Sequence, residues 1–321
     1  MSKITYEGQI IDRQEDQSVL ECLEKAGFKI PSSCRTGVCQ ACVMVATAGD
    51  PGEVSKEGLT PNEIEMKKFK SCCSKPEGDL EVSLEDIKKA YSCSVTEQIM
   101  LNERTLLLRM TVPKEFEYKA GQFINVIRKK DGLLRSYSIA SIPEERFIEM
   151  HVRVYEDGKM SSWLKGWIEP GDELHFTGPF GECFYTDDKP EAEMLLAGIG
   201  TGMAPLYGIA REALKSGHKG KVTILQGAMN EAGLYYTEEF SKIAAEYDNC
   251  QYISSTVDGS GEGNEEGKID DVVKAHFPST KGMKVFLCGS PNTVNRLKKY
   301  SFLAGASMSD IHSDPFTPAE S

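Results

Sequence analysis

Four cysteines constrain this chain more than any other feature. Cys34, Cys39 and Cys42 are spaced C-x4-C-x2-C, and Cys72 follows further along. Three sulfurs converge from so short a stretch only if it is a tight loop folded around what the thiols bind. Thiolates at this spacing are a ligand set for a [2Fe–2S] cluster. Gly37 lets the backbone pass close to the inorganic sulfides. Free N–H groups of such a loop can point at the anionic cluster and tune it. The competing reading is structural zinc in a non-catalytic adaptor. Zinc favours paired C-x2-C knuckles, and only one is present. Cys72 and Cys73 are adjacent, so the fourth ligand is open between them; spacing favours Cys72. Cys22 reads as a buried apolar residue of a helix over residues 18–26.

Composition narrows the partners. The net charge is −12, from 37 basic and 49 acidic residues. Nucleic-acid binders need basic stripes to meet phosphates, so that class is excluded. An acidic surface suits a soluble chain or a basic protein partner. No apolar run approaches the roughly 18 residues of a membrane span. Residues 1–11 lack the basic, apolar and cleavage-site succession of a signal peptide. Clustered cysteines without a secretory signal read as ligands, and the expectation is a cytoplasmic protein.

A chain of 321 residues holds two or three domains. Three segments differ in character, with divisions at 1–90, 91–189 and 190–321. The first holds the cysteines and ends in a charged stretch over 84–89. The second alternates apolar and polar residues over 105–112, 122–128, 147–154 and 173–176, an antiparallel barrel or sandwich pattern. The third alternates short apolar runs (194–197, 222–226, 251–255, 284–288) with helical patterns (204–216, 238–247). That is the grammar of a parallel sheet. Residues 258–267 read as a glycine-rich flexible loop.

Two further motifs carry chemistry. Arg135, Ser136, Tyr137 and Ser138 follow a charged turn. A flavin needs a cation for its pyrophosphate, a flat apolar face for its ring and a hydrogen-bonding group near N5. Arg, Tyr and Ser on one strand offer all three. Gly198, Gly200, Thr201 and Gly202 form a glycine-rich turn between a strand and a helix start, with Pro205 in the first helical turn. Glycines admit a pyrophosphate, and the helix N-terminus offers N–H groups to it. The spacing G-x-G-x-G differs from the dehydrogenase G-x-G-x-x-G, so alone it is only moderately specific. No Arg occurs between Arg211 and Arg296, and the turn over 227–230 carries no cation. A 2′-phosphate needs such a cation, so NADH is favoured over NADPH.

Taken in order, these segments resemble a known architecture over nearly the whole chain. The first resembles the plant-type ferredoxin domain, with Gln40 where many such loops carry glycine after the second cysteine. The second, with Gly121, Gly158, Ser161 and Gly178 around Arg135–Ser138, resembles the flavin domain of the ferredoxin–NADP reductase superfamily. The third resembles that superfamily's nucleotide domain. Together they resemble the reductase components of bacterial multicomponent oxygenases. The resemblance implies a β-grasp ferredoxin domain, an antiparallel β-barrel flavin domain and a parallel-sheet nucleotide domain, a multidomain α+β and α/β fold. It implies FAD, with Arg135 on the pyrophosphate, Tyr137 on the ring, Ser138 near N5 and Ser161 at a phosphate. FAD is favoured over FMN because related FMN reductases usually carry the ferredoxin domain last. It further implies that Cys288 and Gly289 flank the nicotinamide, and that Asp314 and Phe316 form an acidic-x-aromatic tail whose ring covers the flavin. Ser138, Cys288 and Asp314 are the catalytic candidates.

The implied activity takes a hydride from NADH and passes its electrons singly, through flavin and cluster, to a partner oxygenase. A dehydratase, desaturase or haem oxygenase would be served by the same chemistry. A monomer is expected. Met229, Tyr235 and Tyr236 read as packing or adenine-adjacent residues. The five histidines carry no assigned function, and Trp163 and Trp167, at helical spacing, read as core.

Overall fold

The computed structural model describes residues 2–84, 90–259, 261 and 263–317. Residues 85–89 of the charged stretch, and 260 and 262 of the glycine-rich loop, lie outside the described residues. Among the described residues the strands form three sheets.

The first unit comprises β1 (Lys3–Tyr6), β2 (Gln9–Asp12), α1 (Val19–Lys25), β3 (Val43–Ala48), α2 (Pro61–Glu65), β4 (Lys68–Lys70) and β5 (Leu80–Leu84). The sheet order is β2-β1-β5-β3-β4, with β1 and β5 parallel and the other neighbours antiparallel. Helix α1 starts at a capping box: Ser18 Oγ accepts from Glu21 N, and the Glu21 carboxylate accepts from Ser18 N. It buries Val19, Leu20, Cys22 and Leu23 in a core with Ile4, Met44 and Phe69. Cys22 is the core residue its spacing indicates. The chain between α1 and β3 has no regular structure, and this is where Cys34, Cys39 and Cys42 lie.

The second unit comprises β6 (Tyr91–Asn102), β7 (Thr105–Thr111), β8 (Phe123–Arg128), β9 (Leu133–Ser138), β10 (Phe147–Arg153), α3 (Ser161–Gly166) and β11 (Glu173–Phe180). All neighbours in the order β10-β7-β6-β11-β8-β9 are antiparallel. A bridge between Ile139 and Met150 joins the two edges into a barrel. Inward positions Leu106, Leu108, Met110, Ile148, Met150 and Val152 fill it. The expectation that both tryptophans are core fails for Trp167, which is 79% exposed. Four-residue spacing places two side chains on one face only while the helix lasts. Helix α3 ends at Gly166, and Trp167 has already left helical geometry at φ −130°. Trp163 packs partly buried against the barrel core.

The third unit comprises β12 (Met194–Ile199), α4 (Met203–Lys215), β13 (Val222–Ala228), α5 (Thr237–Glu246), β14 (Cys250–Thr256), β15 (Glu265–Glu266), α6 (Ile269–His276), β16 (Lys284–Gly289), α7 (Pro291–Leu303) and β17 (Ile311–Pro315). The sheet is parallel throughout, in the order β15-β14-β13-β12-β16-β17. One face packs on Leu206, Ile209 and Phe240 of α4 and α5, the other on Ile269, Val273, Val294 and Leu297 of α6 and α7. The order reverses beside β12, so its C-terminal end opens onto the crevice where such sheets bind ligands.

Candidate functional site

The cysteine loop turns its N–H groups onto sulfur. Cys39 N and Thr36 N donate to Cys34 Sγ at 3.3 and 3.4 Å, and Cys34 N donates to Cys39 Sγ at 3.4 Å. Arg35 and Gln40 adopt left-handed φ of 55°, which bends the loop into this concavity. Cys34 and Cys39 lie together, joined by backbone N–H bonds in both directions, and Cys72 lies beside both Cys42 and Cys73. The bond from Cys39, with backbone N–H groups, outweighs burial and holds Cys34 down to about 4. Thiols so gathered at an N–H-lined loop fit a two-iron cluster. Cys73 Sγ lies 3.6 Å from Cys72 Sγ but is turned toward Gly37, where a Cβ would come within 2.6 Å of it.

A cleft of about 370 Å³ lies between this loop and the barrel. Its lining unites Cys34 and Cys39 with all four residues of the β9 motif, and with Ser161, Thr201, Asp314 and Phe316. Arg135 is half-buried, and among the described residues no carboxylate pairs with it; burial pulls its pKa below the ordinary value. An unpaired guanidinium beside an aromatic ring and a hydroxyl fits a flavin diphosphate. Ser138 Oγ donates to Asp314 Oδ2 at 3.2 Å. Burial pushes the Asp314 carboxyl up to about 6, against the opposing pull of Ser138. Ser161 is buried, and its Oγ accepts from Tyr155 N at 3.2 Å, closing the turn that contains Gly158.

Two groups here escaped the sequence reading. Asn125 of β8 is fully buried; its Nδ2 donates to Cys39 O at 3.0 Å, and its Oδ1 accepts from Ser136 Oγ at 2.7 Å. His151 of β10 lines the cleft, with Nδ1 3.2 Å from Tyr235 Oη and Nε2 3.0 Å from Glu149 Oε1. Glu149 also takes Arg109 Nε at 2.6 Å and Tyr236 Oη at 3.2 Å. Burial raises the Glu149 pKa, but His151 and Arg109 prevail and hold it at about 2. Tyr235 and Tyr236 thus tie the third unit to the barrel. One signal was available: Glu149 and His151 alternate with Ile148, Met150 and Val152, as in a strand covered on both faces.

A second cleft of about 1340 Å³ opens at the end of β12. Gly200, Thr201, Gly289 and Ser290 line it, with the turn over 227–230. Gly198 and Gly202 do not line it. A Cβ on Gly202 would come within 2.3 Å of Cys288 O, and one on Gly198 within 2.8 Å of Leu206, so both serve close packing. Cys288 is 1% exposed and stands behind the wall, its Sγ 3.8 Å from Cys183 Sγ. Phe316 N donates to Gly289 O at 2.7 Å, and the Phe316 ring lines both clefts. Cations from outside the 227–230 turn reach this cleft. Arg296 is paired with Asp270 at 2.8 Å and Lys274 with Asp271 at 3.5 Å, while Lys268 and Arg104 also line it.

A thiol-lined loop, a barrel cleft and a parallel-sheet crevice meeting along one continuous wall define an iron–sulfur flavoprotein oxidoreductase. Comparison with known proteins agrees. The 2Fe-2S iron-sulfur cluster binding domain matches residues 3–77, the oxidoreductase FAD-binding domain 92–185 and the oxidoreductase NAD-binding domain 195–299. The aromatic O-demethylase reductase subunit of an Amycolatopsis species is 30% identical, over 98% of each chain. The phenol hydroxylase P5 protein of Acinetobacter pittii is 28% identical, over 97% of this chain and 93% of its own. The crystal structure of an Amycolatopsis cytochrome P450 reductase superposes with a TM-score of 0.71 at 27% identity, over 100% of both chains. The chain belongs to the family of reductase components that join a [2Fe–2S] ferredoxin domain to an FAD- and NAD-binding module. It is an electron-transferring oxidoreductase. Among the described residues no helix is long and apolar enough to cross a membrane.

Proposed function

We propose that this protein is the NADH-dependent reductase of a multicomponent oxygenase, a cytoplasmic monomer divided at 1–90, 91–189 and 190–321. The observation that carries this is the shared cleft, where Cys34 and Cys39 face the same space as Arg135, Tyr137 and Ser138. When bound, the dinucleotide, flavin and cluster supply the conversion of an electron pair into single electrons. The chain's residues do the positioning. Cys34, Cys39, Cys42 and Cys72 hold the cluster. Arg135 brings an unpaired cation to the flavin pyrophosphate, Tyr137 offers its ring face, and Ser161 fixes the turn over the phosphates. Ser138 sets its hydroxyl at the reacting edge of the flavin, where it exchanges donation to Asp314 for donation to the ring, and Ser136 is held by Asn125. Gly200 and Thr201 admit the dinucleotide pyrophosphate, and Gly198 and Gly202 let that turn pack. Gly289 leaves room for the nicotinamide, Cys288 shapes the pocket from behind, and Phe316 covers the flavin face until the nicotinamide displaces it.

The clustered cysteines, read as cluster ligands, support a reducing compartment. The uncharged turn over 227–230 supports NADH, as does the pairing of Arg296 and Lys274 with aspartates. Among acceptors, a haem oxygenase is favoured by the likeness to the cytochrome P450 reductase over the full length of both chains. The test is steady-state reduction of a one-electron dye, followed by reconstitution with candidate oxygenases. NADH should exceed NADPH in kcat/KM by at least about tenfold, a difference of about 1.4 kcal/mol. Equal use of both, or no transfer to any oxygenase, would refute the assignment.

A further inference from the structure

Lys70 lies in β4, two residues before Cys72, and is only 5% exposed. Its Nζ donates to Gly37 O at 2.9 Å and to Glu57 O. Both acceptors are neutral backbone carbonyls, and among the described residues no carboxylate forms an ion pair with it. Lysines are almost never fully buried unless paired, because an ammonium loses its hydration there. The location resolves the conflict. Gly37 lies between Cys34 and Cys39, and a Cβ on it would stand 3.2 Å from Lys70 Nζ. The ammonium therefore sits against the carbonyl side of the cysteine loop, on the same side of Gly37 as Cys73 Sγ, with its charge held next to the loop that carries the proposed ligands. A [2Fe–2S] cluster with four thiolates is anionic when oxidised and gains a further negative charge on reduction. Its potential follows net charge and local hydrogen bonding. A fixed cation under the loop favours the reduced form.

We infer that Lys70 is the built-in counter-ion of the [2Fe–2S] cluster and holds its reduction potential up, making the cluster the better acceptor of the flavin's electrons. This rests on the cluster ligands proposed above. The residue acts through the cluster's field and is a positioning residue, not a catalytic one.

The test is an anaerobic redox titration of the holoenzyme followed by electron paramagnetic resonance, on the wild type, Lys70→Met and Lys70→Arg. Met keeps the length of the side chain and removes the charge; Arg keeps the charge. At a fixed solution potential, Lys70→Met should lower the ratio of reduced to oxidised cluster by about tenfold. That is about 59 mV for a one-electron couple. Lys70→Arg should stay near the wild type, and flavin reduction by NADH should be unchanged in both. Equal cluster potentials in the wild type and Lys70→Met would overturn the inference. If Lys70→Met retains no iron, Lys70→Arg decides: a cluster at the wild-type potential supports the charge role, and loss of the cluster there too overturns it. A wild type without two irons per chain would instead remove the ligand assignment, a failure recognisable before any variant is titrated.

Discussion

The side-chain amide of Asn125 reaches out of the flavin barrel and donates to the carbonyl of Cys39 at 3.0 Å. The same amide accepts from Ser136 in the β9 motif. One buried side chain thereby joins the cluster loop to the strand proposed to hold the flavin. Asn125→Ala leaves a buried carbonyl without its donor, at a cost of about 1–3 kcal/mol. That loss should fall on the docking of loop to strand. The expected outcome in stopped flow is cluster reduction slowed about tenfold, for roughly 1.4 kcal/mol, with flavin reduction by NADH unchanged. Equal slowing of both phases would contradict this role.

Asp314 supplies a pH signature. Burial raises its pKa from the ordinary 3.8 to about 6. The unfolded chain therefore loses this proton before the folded chain does, and stability falls as pH rises between those values. The penalty is absent below pH 3.8 and amounts to roughly 3 kcal/mol at neutral pH. Asp314→Asn should raise the Tm of the apoprotein at pH 7 and leave it near the wild type below pH 4. Calorimetry across that range checks the sign.

Ser138 should matter to rate more than to stability. Removing one preorganised donor from a reacting centre costs on the order of a hundredfold. Ser138→Ala should slow flavin reduction by NADH by about that factor while keeping flavin and iron content, read by absorbance and metal analysis.

The adjacent cysteines separate by geometry. Cys72 lies beside Cys42, while Cys73, its Sγ 3.6 Å from Cys72 Sγ, is turned toward Gly37. Cys72→Ser should lose the cluster, and Cys73→Ser should keep two irons per chain. The reverse pattern in iron analysis would exchange their roles.

The glycines of the nucleotide turn divide likewise. A Cβ on Gly202 meets the Cys288 backbone at 2.3 Å, so Gly202→Ala should destabilise the third unit by about 1–3 kcal/mol. On Gly200 the nearest atom is Arg153 Nη1 at 3.8 Å, and φ is +53°. Gly200→Ala should fold with a penalty of about 1 kcal/mol and show its main defect as a raised KM for NADH. Thermal melts and steady-state kinetics distinguish the two.

The features legible in the sequence were local. Cysteine spacing, the β9 motif and the glycine turn each lie within a few residues, and the order of segments followed from them. From β11 to β14 and at β16, strand ends ran one to four residues beyond the apolar runs, because backbone pairing continues past the last apolar side chain, whereas β7 and β10 stop one residue short of theirs. Strand β17 was missed because His312, Ser313 and Asp314 make no apolar run; it forms by pairing beside β16. What joins the units depends on contacts distant in sequence. Asn125 to Cys39, His151 to Tyr235 and Lys70 to Gly37 leave no periodic trace, and each became visible only when the folded units met.

Electron passage from flavin to cluster inside one chain is tested most directly by adding limiting NADH anaerobically and freezing samples over milliseconds. The flavin band should bleach first, followed by the paramagnetic signal of a reduced [2Fe–2S] cluster. In Cys72→Ser the flavin should bleach and that signal should be absent. A wild-type protein carrying flavin and two irons, in which NADH bleaches the flavin and the cluster never becomes reduced, would contradict it.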